Sequence, residues 1–184
     1  RYPEVSIELE IVDRERLASR MRANQDDLYI MVYPPEDLEV VSYPFLDNEL
    51  VVIAPVNHWA AAQPVELATL SGERFILRET GSGSRRTIDA HLAQVGMTLD
   101  VKLTVSSNDA IRDLVASGVG LAVLSRHALP EDPAVGGVCI LDVCGFPLCR
   151  SWQVVHLKSK LLSLPASACL EELLAVRSLP PAIN

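Results

Sequence analysis

Three observations predict a two-lobed α/β protein. Apolar runs of strand type alternate with apolar stripes at helical spacing. That alternation occurs twice, on either side of a continuous apolar segment at Leu50-Val51-Val52-Ile53-Ala54, and the chain returns near Ser151 to add one more strand and helix. The expected division is residues 1–50 for the first lobe, 51–150 for the second, and 151–184 as the return to the first. Two lobes joined by two crossings put a cleft between them. The carboxyl ends of parallel strands and the amino ends of the following helices converge there, where open α/β sheets bind ligands.

Each element has its own signal. Val5-Ser-Ile7-Glu-Leu9-Glu-Ile11 alternates strictly, which predicts a strand with one face buried. Asp13 then caps a helix carrying Leu17, Ala18 and Met21 on one side, and Leu28 to Val32 is a short strand closed by Pro34-Pro35. Strand, helix, strand predicts a βαβ unit with parallel strands. Val40-Val41 and Leu50 to Ala54 read as two further strands, the second buried on both faces. Phe75 to Leu77 is a strand, Ser84 to Val95 a helix and Val101 to Val105 an alternating strand. Asn108 to Ala116 is a helix capped by Ser106-Ser107, stopped by Gly118, with Ile111, Leu114 and Val115 inward. Leu121 to Leu124, Val138 to Leu141 and Trp152 to Val155 complete the strands. A last helix begins near Pro165, with Leu170, Leu173 and Leu174 on its apolar side.

The 184 residues are 49% hydrophobic and 22% charged, enough for a real core. A net charge of −8 and a sequence pI near 5.0 lack the basic footprint of a nucleic-acid-binding domain, so any DNA contact falls to another segment. Acidic pairs such as Asp26-Asp27 and Glu171-Glu172 read as solvated faces. Cys139, Cys144, Cys149 and Cys169 are spaced too widely for a zinc knuckle; small buried hydrophobes in a cytoplasmic protein are expected. Apolar runs fall short of a membrane span, and no signal peptide opens the chain, whose start at Arg1 reads as the interior of something longer and leaves a removed one open. The four histidines share no metal-ligand spacing. Trp59 and Trp152 read as core or subunit-contact residues. No serine sits in a nucleophile elbow, so no catalytic machinery, cofactor or metal is expected.

The functional lead is Phe75-Ile-Leu-Arg78-Glu-Thr80-Gly81-Ser82-Gly83-Ser84-Arg85-Arg86, a strand running through a Gly/Ser turn into a helix striped by Ile88, Leu92 and Val95. A helix start carries unpaired N–H donors and the positive end of the helix dipole; two serines and two arginines crowd this one, which suits a small anion. Arg86 stands where a dinucleotide fingerprint has its third glycine, and no Lys-Ser/Thr pair follows as in a P-loop. Composition alone equally fits a capped helix with solvated arginines.

Arg1-Tyr-Pro-Glu-Val5, Asp26-Asp-Leu-Tyr-Ile30, the Phe75 to Arg85 stretch, Ser107-Asn-Asp-Ala-Ile111 and Gly118-Val-Gly-Leu-Ala-Val-Leu-Ser125 resemble the effector-binding domain of LysR-type transcriptional regulators. The resemblance is strongest to the branch of CbbR, CmpR and NdhR, which controls carbon fixation and inorganic-carbon uptake. It implies a two-lobed periplasmic-binding-protein-like (type II) fold with a ligand cleft between the lobes. It also implies that the strand and helix opening the first lobe are missing, along with the DNA-binding domain that precedes them. The effector-binding residues it implies are Arg14, Tyr33, Arg78, Thr80, Gly81, Ser82, Gly83, Ser84, Arg85, Ser107 and Asn108; by their own setting Ser107 and Asn108 read first as helix caps, and Arg14 equally as a solvated arginine. Thr80 and Ser84 stand where the branch often has Pro and Thr, Asp13 where it has Asn, and Tyr33 where it has Gln.

The expected function is therefore effector sensing in a cytoplasmic regulator. Its ligand would be a small anionic metabolite of the phosphorylated-sugar, 2-phosphoglycolate or 2-oxoglutarate class. Self-association to a dimer or tetramer is implied, with promoter DNA contacted only through the missing domain and no membrane involved. The rivals are an extracytoplasmic solute-binding protein of a transporter and an enzyme on the same fold, such as a prephenate-dehydratase-like lyase.

Overall fold

The computed structural model describes residues 2–176; Arg1, which opens the first family-like run, and residues 177–184, the tail of the expected return, lie outside the described residues. The chain forms two compact units, Arg1–Asp47 with Ser151–Asn184, and Asn48–Arg150. It passes between them twice, within strand β2 (Val40–Pro55) and within the long strand Leu148–Leu157.

The second unit is built around a sheet whose strands are β2, β3 (Arg74–Arg78), β4 (Asp100–Val105), β5 (Leu121–Ser125) and β6 (Val138–Ile140), in the order β6-β2-β5-β3-β4. β3 lies parallel to both β4 and β5, whereas β2 runs antiparallel to β5 and β6. The helices α2 (Gly83–Val95) and α3 (Asn108–Ala116) serve opposite faces of the sheet. Ile88 and Leu92 of α2 pack with Leu50, Val52, Phe75, Leu77, Leu121 and Val123. Ile111 and Val115 of α3 pack with Val51, Ile53, Ile76, Ala122 and Leu124. Alternate residues of each strand thus enter opposite cores, which is why β2 and β5 read as continuous apolar runs. The β3-α2 and β4-α3 connections follow from this geometry: each strand ends where the next helix begins.

The first unit holds α1 (Arg14–Arg22), β1 (Tyr29–Met31), β7 (Leu148–Leu157, from Ser151 onward) and α4 (Leu164–Val176). β1 pairs antiparallel with β7. Met21, Tyr29, Met31 and Val155 form its core, with Leu17, Leu38 and Val40 against them. Asp13 caps α1, accepting from Arg16 N at 2.8 Å, as its sequence position predicts.

Several expectations are corrected. Val5 to Ile11 is not a strand: Ile7, Leu9 and Ile11 are 69%, 77% and 91% exposed. Alternation supplies one apolar face, but a strand also needs a ladder partner, and none of the described strands pairs with this segment. The βαβ unit with parallel strands is therefore absent here, and β1 takes an antiparallel neighbour instead. Val40-Val41 and Leu50 to Ala54 belong to one strand of 16 residues; Pro44 and the polar residues Asp47 to Glu49 interrupt the apolar pattern without breaking the backbone. Val95 is exposed, while Leu92 of the same turn is buried and Met97 and Leu99 just beyond the helix pack against that core.

Asp26 is not a solvated carboxylate. Arg20 grips it through Nε at 2.9 Å and Nη2 at 2.5 Å, and Lys160 pairs with Asp27 at 3.2 Å. The hydrogen bonds from Arg20 hold the Asp26 carboxyl below its usual range against the opposing effect of burial. None of the four free cysteines is fully buried; Cys144 and Cys149 are exposed. The Glu66 carboxylate beside Cys144 pushes its thiol up, as burial does for Cys139, which makes both poor thiolates. Trp59 is half exposed, its indole N–H donating to Glu73 at 3.0 Å rather than packing in a core.

Candidate anion site at the starts of two helices

β3 delivers Arg78 to the carboxyl edge of the sheet, and the chain then turns through Glu79, Thr80 and Gly81 into α2. Gly81 has φ +107°, a region a Cβ disfavours. Ser82 N–H donates to the Glu79 carbonyl at 3.1 Å, closing the turn. The Ser82 hydroxyl then accepts from Arg85 N at 3.1 Å as the N-cap of α2. Two orphan donors remain, the N–H groups of Gly83 and Ser84. Among the described residues neither these nor the half-buried Ser84 hydroxyl has a protein partner.

A second helix start lies beside the first because β4, parallel to β3, ends at Val105, whose register partner is Arg78. Ser107 caps α3 by accepting from Ala110 N at 3.3 Å, and Asn108 opens its first turn. Arg78 ties the two starts together, donating through Nη1 to Asn108 Oδ1 at 2.7 Å. Arg85 adds a second tie within the turn, from Nη1 to the Arg78 carbonyl at 3.2 Å.

Charge at this edge is balanced rather than simply positive. Arg78 forms a two-point pair with Glu79, Nε to Oε2 at 2.8 Å and Nη2 to Oε1 at 2.9 Å. Arg85 pairs with Asp89 one turn on at 2.9 Å, and Arg112 with Asp109 at 3.1 Å. What favours an anion is thus the pair of unpartnered N–H groups and the Ser84 hydroxyl at a helix start with its dipole, while Arg78, Arg85 and Arg112 each have a carboxylate of their own.

Of the residues singled out from the sequence, the structure joins Arg78, Ser82, Arg85 and Asn108 by hydrogen bonds and places Gly81, Gly83, Ser84 and Ser107 among them. Thr80 is exposed at the tip of the turn. Arg14, the first residue of α1, and Tyr33, just beyond β1, belong to the other unit. The sequence reading passed over Glu79 and Asp89. An arginine followed directly by glutamate, and an Arg-Asp pair at i, i+4 on a helix, are signals that would have found them.

A family model, the LysR substrate binding domain, matches residues 1–178. The chain belongs to the LysR substrate-binding-domain family. Its relatives include the HTH-type transcriptional activator CmpR of Synechocystis, 37% identical over 175 residues that make up 95% of this chain and 58% of CmpR. The RuBisCO operon transcriptional regulator of Acidithiobacillus ferrooxidans is 41% identical over 95% of this chain and 57% of that protein. The chain therefore spans somewhat over half the length of these relatives. Among solved structures, the CcmR regulatory domain of Synechocystis PCC6803 in complex with 2-PG superposes with a TM-score of 0.90 at 38% identity, covering 96% of this chain and 85% of that one. The fold of this LysR domain is thus the two-lobed type that the resemblance implies. Among its described residues no helix is long and apolar enough to cross a membrane, and no group of three or more His, Cys, Asp or Glu could hold a metal ion.

Proposed function

We propose that this LysR domain senses a small anionic metabolite for a cytoplasmic regulator of genes for carbon fixation or inorganic-carbon uptake. The anion would bind at the paired starts of α2 and α3. One observation carries this reading: two N–H groups and the Ser84 hydroxyl, all free of protein acceptors, lie in the first turn of a helix whose start is tied through Arg78 to a second capped helix start. The three oxygens of a phosphate head match those three donors, and Arg78 or Arg85 would add charge. Thr80, Gly81, Ser82, Gly83, Ser107 and Asn108 would shape the site. Arg14 and Tyr33 are effector contacts by family resemblance alone.

The CcmR domain solved with 2-PG supports a ligand of the 2-phosphoglycolate class, and a phosphorylated sugar or 2-oxoglutarate would satisfy the same donors. The net charge of −8 supports DNA contact through a segment outside this chain. Reading paired half-sites would require self-association to a dimer or tetramer.

The test is calorimetric titration of 2-phosphoglycolate into the protein and into Ser84→Ala. A hydrogen bond to a charged group contributes about 1.5–3 kcal/mol, so affinity should fall about ten- to a hundred-fold. Unchanged affinity, with circular dichroism reporting an intact fold, would return the turn to a capped surface helix.

A further inference from the structure

We infer that Glu79 is a built-in competitor for the anion site, an internal carboxylate that an incoming oxyanion must displace from Arg78; this rests on the anion-binding reading given above. The guanidinium of Arg78 presents a planar fork matched to two oxygens of a carboxylate or phosphate. Glu79 fills that fork, with both of its carboxylate oxygens within 2.9 Å of Nε and Nη2. Phosphate or carboxylate held by the same edge of Arg78 would need the positions those oxygens occupy.

The pairing is local and exchangeable. Neighbouring residues on an extended chain point to opposite sides, so Arg78 and Glu79 meet only by turning their side chains back toward each other, which costs rotamer freedom. The Arg78 and Glu79 side chains are 19% and 33% exposed, so an anion reaches the pair from solvent. Parting the Glu79 carboxylate from the Arg78 fork is a side-chain rotation. It leaves the bond from Arg78 Nη1 to Asn108, that from Arg85 to the Arg78 carbonyl, and that from Ser82 N–H to the Glu79 carbonyl in place. Arg85 differs in this respect: Asp89 sits one helical turn away, held at a favoured i, i+4 spacing on the helix.

Glu79 therefore sets the threshold concentration at which the site fills. An exposed or half-exposed ion pair is worth little individually, and removing this competitor should tighten anion binding about two- to five-fold. The experiment titrates inorganic phosphate and 2-phosphoglycolate by calorimetry into four forms of the protein: unmodified, Glu79→Gln, Arg78→Ala, and Arg78→Ala combined with Glu79→Gln. Tighter binding to Glu79→Gln that disappears in the Arg78→Ala background is the expected result, because the gain runs through the fork. Equal or weaker binding to a folded Glu79→Gln would overturn the inference and make Glu79 a residue that merely orients Arg78. Ser84→Ala separates the two failures. If it weakens binding while Glu79→Gln gives no gain, the anion site stands and the competitor falls; if Ser84→Ala leaves binding unchanged, both fall.

Discussion

Replacing Arg78 with methionine, which keeps the buried stem and removes the guanidinium, should damage stability and ligand affinity by separable amounts. The bond to Asn108 Oδ1, at 2.7 Å between half-buried groups, is charge-assisted and contributes about 1.5 kcal/mol. The pair with Glu79 is partly solvated and contributes about 0.5 kcal/mol. Arg78→Met should therefore lower unfolding stability by about 2 kcal/mol, most of it through the lost tie between the end of β3 and the start of α3. Affinity should fall by what one charge-assisted donor contributes, about ten- to a hundred-fold for 2-phosphoglycolate. Urea denaturation and calorimetry measure the two quantities independently. Asn108→Ala supplies the partition: it should reproduce most of the stability loss, and the double variant should be little less stable than Arg78→Met alone. Fully additive stability losses for Arg78→Met and Asn108→Ala would refute the tie, since residues that act only through a shared bond cannot lose it twice.

Two further outcomes test the scaffold around the site. A Cβ on Gly120 would lie 2.5 Å from the Arg74 carbonyl oxygen, a backbone atom that cannot swing aside, so Gly120→Ala should cost about 1–3 kcal/mol in urea denaturation by forcing β5 away from β3; a loss no larger than that of Gly72→Ala, where nothing lies within 4 Å, would contradict that packing. Asp26, held below its usual range chiefly by the hydrogen bonds from Arg20, contributes stability above the unfolded carboxylate value of about 3.9 and loses it as pH falls through the lower folded value. Asp26→Asn should thus be less stable than the unmodified protein at pH 7, with the gap closing in strongly acidic solution. A gap independent of pH would show that the carboxylate charge is not what matters.

Helix caps and apolar runs, which depend on neighbours a few residues apart, were legible in the sequence. Asp13, Ser82 and Ser107 could be placed at helix starts because a cap bonds an N–H only three residues on. Leu50 to Ala54 and Leu121 to Leu124 announced themselves as doubly buried strands because a strand between two cores needs apolar residues on both sides. The Gly/Ser turn from Arg78 to Arg85 and the helix it opens were visible for the same local reason. What tertiary structure alone decided was which surfaces met. Val5 to Ile11 has the alternation of a half-buried strand yet stays unpaired, because a ladder requires a neighbour that alternation cannot supply. Asp26 looked like a surface charge until α1 brought Arg20 against it. Arg78 and Asn108 stand thirty positions apart, and only the parallel register of β3 and β4 puts the end of one strand beside the helix that follows the other. Hydrogen-bond reach is about 3 Å whatever the separation along the chain, so packing gave Arg78 its distant partner, while the carboxylates that balance its charge and that of Arg85 are sequence neighbours.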